Sequence, residues 1–133
     1  MRSGLVSLLT NEATISAIVG SRVYISKAPQ TAALPHIIIT QMGSNENQTL
    51  DGTVGLRFVT FDIDCKDNRS VDAQTLADAV RVFIDDASGT AGSQTIKGVL
   101  LNDESTDYEP PTDGSDKGVH VVNLDVTIQY VPA

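Results

Sequence analysis

From Val119 to Tyr130 the chain alternates without a break. His120, Val122, Leu124, Val126, Ile128 and Tyr130 fall on one side, and Val121, Asn123, Asp125, Thr127 and Gln129 on the other. A period of two marks a strand with one face covered and the other turned to solvent. The same alternation runs from Leu56 to Cys65, with Val59, Phe61, Ile63 and Cys65 opposite Phe58, Thr60, Asp62 and Asp64. Ahead of it, His36 to Gln41 holds three consecutive isoleucines, a β-branched run that suits a well-covered strand. Pro35 opens that strand, since the residue before a proline avoids helix. The two strands predict a long hairpin joined by the polar, glycine-bounded segment Gly43 to Gly55. A connection of that length in a compact domain is usually functional or disordered, so the hairpin tip is a first candidate for an interaction.

Helical periodicity appears twice. Ser70 caps a segment in which Ala73, Leu76, Ala77, Val80, Phe83, Ile84 and Ala87 recur on one stripe, with Gly89 expected to end it. Near the N-terminus Ser3 is expected to cap a helix with Leu5, Leu8 and Leu9 on one face. Ile15, Ile18 and Val19 resume it until Gly20, which predicts a kink or break. A short strand at Arg22 to Ile25, an irregular linker from Lys27 to Pro35 and a strand at Thr95 to Leu101 complete the order α, β, β, β, α, β, β. The acidic stretch Asn102 to Asp116 then reads as a Pro-stiffened loop in front of the last strand; it holds six of the seventeen Asp and Glu and no Lys or Arg. Asp85 and Asp86 fall near the end of the second helix, where the helix dipole disfavours anions.

Charge narrows the function classes. Nine Lys and Arg against seventeen Asp and Glu give a net charge of −8 over 133 residues. Binding to a phosphate backbone requires clustered cations, so specific nucleic-acid binding is excluded as an expectation. The length suits one domain, 1–133, with a core that needs no staples. Cys65 is the only cysteine and sits among apolar strand positions, which fits a buried thiol in a reducing compartment. The apolar run Leu5 to Leu9 is far short of the roughly 20 residues a membrane span needs.

Catalytic chemistry finds little support. His36 and His120 both read as structural, and no recognised Ser, Cys or Thr nucleophile motif is present. Asp62 and Asp64 share a strand face and, with Glu104 or Asp125, form a weak candidate for a divalent-cation site. A solvated polar face is the stronger reading. The spacing of Asp103 and Asp107 does not match a calcium loop, and the glycines do not form a phosphate loop. Neither a cofactor nor a metal is expected. Tyr108, an aromatic between Asp107 and Glu109, either packs beneath the acidic stretch or anchors a partner.

Read in order, Leu8-Leu9, Val19 to Tyr24, Leu34 to Ile37, Leu50-Asp51-Gly52, Asp62 to Cys65, Ala73 to Arg81, Asp103-Glu104, Asp107 to Pro110 and Leu124 to Val126 resemble the tail-completion, or tail-terminator, proteins of long-tailed bacteriophages and prophages. The similarity spans nearly the whole chain and is collective, since each tetrapeptide alone is weak. The resemblance implies an α+β fold: an antiparallel, roughly four-stranded sheet with two helices packed on one face. It further implies a non-enzymatic virion protein of the tail-neck region, assembled in the host cytoplasm as a homohexameric ring. That ring caps the major tail-tube protein, ends its polymerisation and meets a head-completion or connector protein. DNA passes through its lumen without specific binding, and no membrane is involved.

Under this reading the ring and tube contacts fall at Asn45, Glu46, Asn47, Leu50 and Asp51, and at Asp103, Glu104, Asp107, Tyr108 and Glu109, within Gly43 to Gly55 and Asn102 to Lys117. The chain departs from the family pattern at Val119-His120-Val121-Val122, where arginines are frequent. Two alternatives remain at this stage: a head-completion or neck connector protein, and a metal-dependent enzyme using Asp62, Asp64 and Glu104.

Overall fold

The sequence alternation is realised as a sheet with helices on one side. The computed structural model describes residues 2–27, 34–49, 52–85, 89–91, 94–110 and 118–131. Its elements are α1 (Arg2–Asn11), α2 (Ala13–Val19), β1 (Val23–Ile25), β2 (His36–Thr49), β3 (Gly52–Asp67), α3 (Ser70–Asp85), β4 (Gly89–Ala91), β5 (Gln94–Glu109) and β6 (Val119–Val131). The strands lie in the order β1-β2-β3-β6-β5-β4. β2, β3, β6 and β5 are long, each antiparallel to its neighbour, whereas β4 is a three-residue antiparallel edge. β1, also three residues long, pairs parallel with β2 through Ile37, Ile38 and Ile39.

The α+β class and the four long antiparallel strands therefore match the expectation. The two expected helices are three, because the first divides at Glu12, whose backbone is extended and whose side chain caps nothing. Ser3 lies within α1 rather than ahead of it, while Gly20 ends α2 as expected, at φ 61°, a conformation that glycine adopts without a Cβ penalty. Gly89 opens β4 instead of closing α3; Asp86 and Ala87 fall outside the described residues.

Two expected loops are largely strand. β2 runs on to Thr49 and β3 starts at Gly52, so the thirteen-residue connection predicted at Gly43 to Gly55 reduces to Leu50 and Asp51, which lie outside the described residues. Likewise Asn102 to Glu109 continues β5, so the acidic stretch is strand as far as Glu109; residues 111–117 lie outside the described set. Polar composition misled in both places because these segments have little to cover, and β pairing is satisfied by the backbone whatever the side chains.

The core forms between the sheet and the helices. Phe61, Ile63, Cys65, Val59, Leu124, Val126 and Ile128 meet Leu9, Ile15, Val19, Leu76, Ala77 and Val80 there, all essentially inaccessible to solvent. On α3 the apolar stripe is buried while Val71 and Val82 point outward and are exposed. Arg22 ties the start of β1 to its surroundings: its Nε donates to the Pro35 carbonyl at 2.8 Å and its Nη2 to the Ile18 carbonyl at 3.3 Å. The Leu34–Pro35 peptide is cis.

Burial pushes the Cys65 thiol well above its ordinary pKa, reinforced by the nearby charges of Asp64 and Glu104. A thiolate is the reactive species. Cys65 is therefore expected to resist alkylation in mildly alkaline native buffer and to label fully once denatured, a contrast that mass spectrometry reads directly.

Candidate assembly surface

The face of the sheet turned away from the helices carries no layer of its own among the described residues. Register places its side chains in rows that cross the strands. In one row Thr40 of β2 lies beside Asp62 of β3, Asp62 beside Asp125 of β6, and Asp125 beside Asp103 of β5. Three carboxylates thus sit on neighbouring strands, where directly opposed like charges destabilise a sheet. In the adjacent row Asp64 is relieved by its cross-strand partner Asn123, whose Nδ2 donates to Oδ1 at 2.6 Å. On the other side Thr60 and Thr127 share a hydroxyl hydrogen bond at 3.3 Å, and Asn102 Nδ2 donates to Thr127 Oγ1 at 2.7 Å.

The central row has no such relief. Asp125 Oδ1 is buried without a hydrogen-bond partner. Asp62 is pushed above the usual carboxylate range, first by desolvation and then by repulsion from Asp125 and Asp64. A carboxyl whose pKa is raised on folding favours the protonated fold. Its cost to stability is absent below the ordinary carboxylate range and appears as the pH rises through the folded-state value. Asp62→Asn is therefore expected to stabilise the subunit at neutral pH by about 0.2–1 kcal/mol, with the gain vanishing near pH 3. Denaturant melts at the two pH values check this, and equal stabilities at neutral pH would contradict it.

A bulge creates the row. Between Leu101 and Asp103 the register of β5 shifts, with Asn102 as the extra residue. Upstream Val99 and Leu101 pack against the core, so unbroken alternation would send Asp103, Ser105 and Asp107 to the helix side. The inserted residue reverses the parity, turning Asp103 and Asp107 to the open face and Glu104, Thr106 and Tyr108 to the helix face. Glu104 consequently approaches Arg81 of α3, Oε2 to Nη1 at 3.9 Å, while its Oε1 is buried without a partner. This corrects the candidate cation site: Glu104 lies on the opposite side of the sheet from Asp62 and Asp64, and no group of three potential ligands converges among the described residues.

The histidines also divide between the faces. His36, buried, meets Tyr24 edge-on with centroids 5.7 Å apart, whereas His120 stacks at 4.8 Å on its cross-strand partner Tyr108. Tyr108 belongs to a strand rather than a loop, 46% exposed, at the mouth of a cavity of about 460 Å³ between the start of α3 and the β5–β6 end. Gly118 makes that contact possible. A Cβ there would meet the Tyr108 ring and come within 2.5 Å of the Glu109 carbonyl, so Gly118→Ala is expected to cost about 1–3 kcal/mol, as overpacking does. Thermal melts of the variant check it. Lys66 Nζ reaches Glu109 Oε1 at 2.8 Å across β6, which accounts for the burial of Val121 on the otherwise open face.

The ten candidate contact residues thus fall in two places. Asn45, Glu46 and Asn47 lie toward the tip of the β2–β3 hairpin, with Leu50 and Asp51 outside the described residues. Asp103, Glu104, Asp107, Tyr108 and Glu109 lie on β5, separated from β2 by β3 and β6. Sequence reasoning missed Leu100 and Met42, both exposed apolar residues on these outer strands at 61% and 60%; neither the register shift at Met42 nor the one at Asn102, two residues past Leu100, carries a distinct sequence signal.

Comparison with known proteins agrees with this geometry. The family model described as tail completion protein gp17 matches residues 3–130. A chain of the virion of a native gene transfer agent particle superimposes with a TM-score of 0.74 at 14% identity, over 98% of this chain and 92% of that one. A second solved chain gives a TM-score of 0.51 at 14% identity, over 100% of this chain and 99% of its own. At such identities the likeness is one of fold. No curated protein matches.

Proposed function

We propose, from the premise that this chain belongs to the tail completion protein gp17 family, that it is a tail terminator acting as a homohexameric ring. The family match over residues 3–130 is the observation that carries the reading. Membership makes the chain a structural protein of the virion tail. Within the proposal, the whole of 1–133 is one domain, the ring caps the last layer of major tail-tube protein, and its other side receives the head-completion or connector protein. Asn45, Glu46, Asn47, Leu50 and Asp51 at the hairpin tip, and Asp103, Glu104, Asp107, Tyr108 and Glu109 on β5, supply the contacts between subunits and with neighbouring rings.

The acidic open face supports this role physically. A ring through which DNA must pass works best if its lumen does not bind the phosphate backbone, and the row Asp62, Asp125 and Asp103 repels it. In this proposal the open face is turned inward, the protein needs neither cofactor nor metal, and it assembles in the host cytoplasm without a membrane. No helix among the described residues is long and apolar enough to cross one.

The test is to add the purified chain to tail tubes and then supply soluble tube subunits. Rings of six at the tube end that block further growth are expected by electron microscopy. Tubes that continue to lengthen, with no ring at any end, would contradict the proposal.

A further inference from the structure

Two edges of the sheet carry long runs with no partner strand among the described residues. β1 covers β2 only at Ile37, Ile38 and Ile39, and Ser26 adds one N–H to the Ile39 carbonyl at 2.8 Å. The outer side of β2 is then open from Thr40 to Thr49. On the opposite edge β4 covers β5 only at Gln94, Thr95 and Ile96, leaving Lys97 to Glu109 open. From Asn102 to Glu109 every residue but Glu104 is exposed. An edge of that length presents a row of unpaired backbone donors and acceptors, which proteins rarely leave unmanaged.

We propose that the two edges are halves of one joint, with the outer side of β5 in one subunit pairing antiparallel to the outer side of β2 in the next. The inference rests on the ring reading above and specifies how its subunits meet. Direction permits it: β2 and β6 run one way and β3 and β5 the other, so β5 beside the β2 of an identically oriented copy is antiparallel. Length permits it too, since ten free residues on β2 meet thirteen on β5.

The short strands limit the offset. β1 blocks β2 up to Ile39 and β4 blocks β5 up to Ile96, so all ten free residues of β2 are paired when Thr40 lies against any residue from Thr106 to Glu109. Parity then restricts the register. Gln41, partner of Phe61, and Tyr108, partner of His120, both lie on the helix face, and Thr40 against Glu109 brings them opposite each other. A slip of two residues, Gln41 to Thr106, also keeps the helices of all subunits on one side of the sheet. An odd slip would turn alternate subunits inside out.

The same offset gives the inclination of the strands. Inside a subunit Thr40 is level with Asp103, but across the joint, with Thr40 against Glu109, it is level with a residue six further along β5. That is a rise of about 20 Å for each advance of four strands, about 19 Å wide. The resulting tilt of roughly 45° is at the upper end of the range for closed barrels. A head-to-tail joint that repeats with a fixed rotation closes into a ring. The bulges agree, because three single-residue shifts, at Met42, Lys97 and Asn102, lie on β2 and β5, whereas β3 and β6 pair through eleven residues without one; a further irregularity in the β2–β3 pairing, between Glu46 and Gln48, falls toward the hairpin tip, beyond the β3–β6 ladder. Bulges on outer strands supply the bend that closure needs.

Paired cysteines test the joint in the intact chain, with Cys65 left buried. Gln41→Cys with Tyr108→Cys, or Gln41→Cys with Thr106→Cys, is expected to give a ladder of disulfide-linked oligomers after mild oxidation in the presence of tail tubes. The opposite-face control, Gln41→Cys with Asp107→Cys, is expected to stay monomeric on a denaturing gel. Native mass spectrometry of the unoxidised chain runs in parallel. Oligomers by mass without either same-face cross-link would overturn the edge joint and leave the ring reading standing, as would a control that links equally well. A chain that stays monomeric by mass even with tubes, and never cross-links, would overturn both.

Discussion

Phe61→Ala is expected to destabilise the subunit by about 3–5 kcal/mol, the cost of removing a large buried aromatic and leaving a cavity. Phe61 is inaccessible to solvent at the middle of β3, level with Gln41 on one side and Val126 on the other. It faces the layer in which Leu76 and Val80 of α3 and Leu9 of α1 also lie. Domains of this kind are stable by about 5–15 kcal/mol, so one substitution removes about a fifth of the total or more. A fall in melting temperature of roughly 10–20 °C follows. Val82→Ala on the exposed side of α3 is the matched control, expected within about 0.5 kcal/mol of the parent. Equal effects at the two positions would mean that the core is not where the fold puts it.

Tyr108→Ala is expected to act on assembly instead. Its ring is 46% exposed and leans on His120, so truncation costs the free subunit only about 1 kcal/mol. A tyrosine desolvated within a joint between protein surfaces commonly contributes 2 kcal/mol or more, equivalent to roughly 30-fold in affinity. Capped tubes should therefore require roughly 30-fold more protein, measured by titrating tubes with the variant, while the melting temperature stays near that of the parent. Unchanged capping would remove Tyr108 from the interface.

What the sequence revealed, and what it hid, follows from where side chains carry the structural information. Val59 to Cys65 and Val122 to Tyr130 were legible because one face of each strand is fully covered, and the period of two is then written in apolar residues. The stripe of α3 was legible for the same reason. Asn45 to Thr49 and Asn102 to Glu109 read as loops because their pairing is held by the backbone and their sequences are mostly polar. The register of β5 was beyond reach, since a single extra residue at Asn102 reverses every side chain after it and nothing in Leu101-Asn102-Asp103 announces the insertion. That one shift separates Glu104 from Asp62 and Asp64, which removes the candidate cation trio, and aligns Asp103 with Asp125. The family resemblance was readable because it lies in the order and spacing of many weak segments, and the family match extends over residues 3–130.

The most direct test of the terminator reading is to disrupt this reading frame in the phage or prophage that carries it and image the particles by electron microscopy. The account predicts DNA-filled heads without tails beside unattached tails of uncontrolled length, with both defects reversed when the chain is supplied in trans. Tails of normal length joined to heads would contradict it, and tails of normal length that fail to join would move the ring to the head side of the neck.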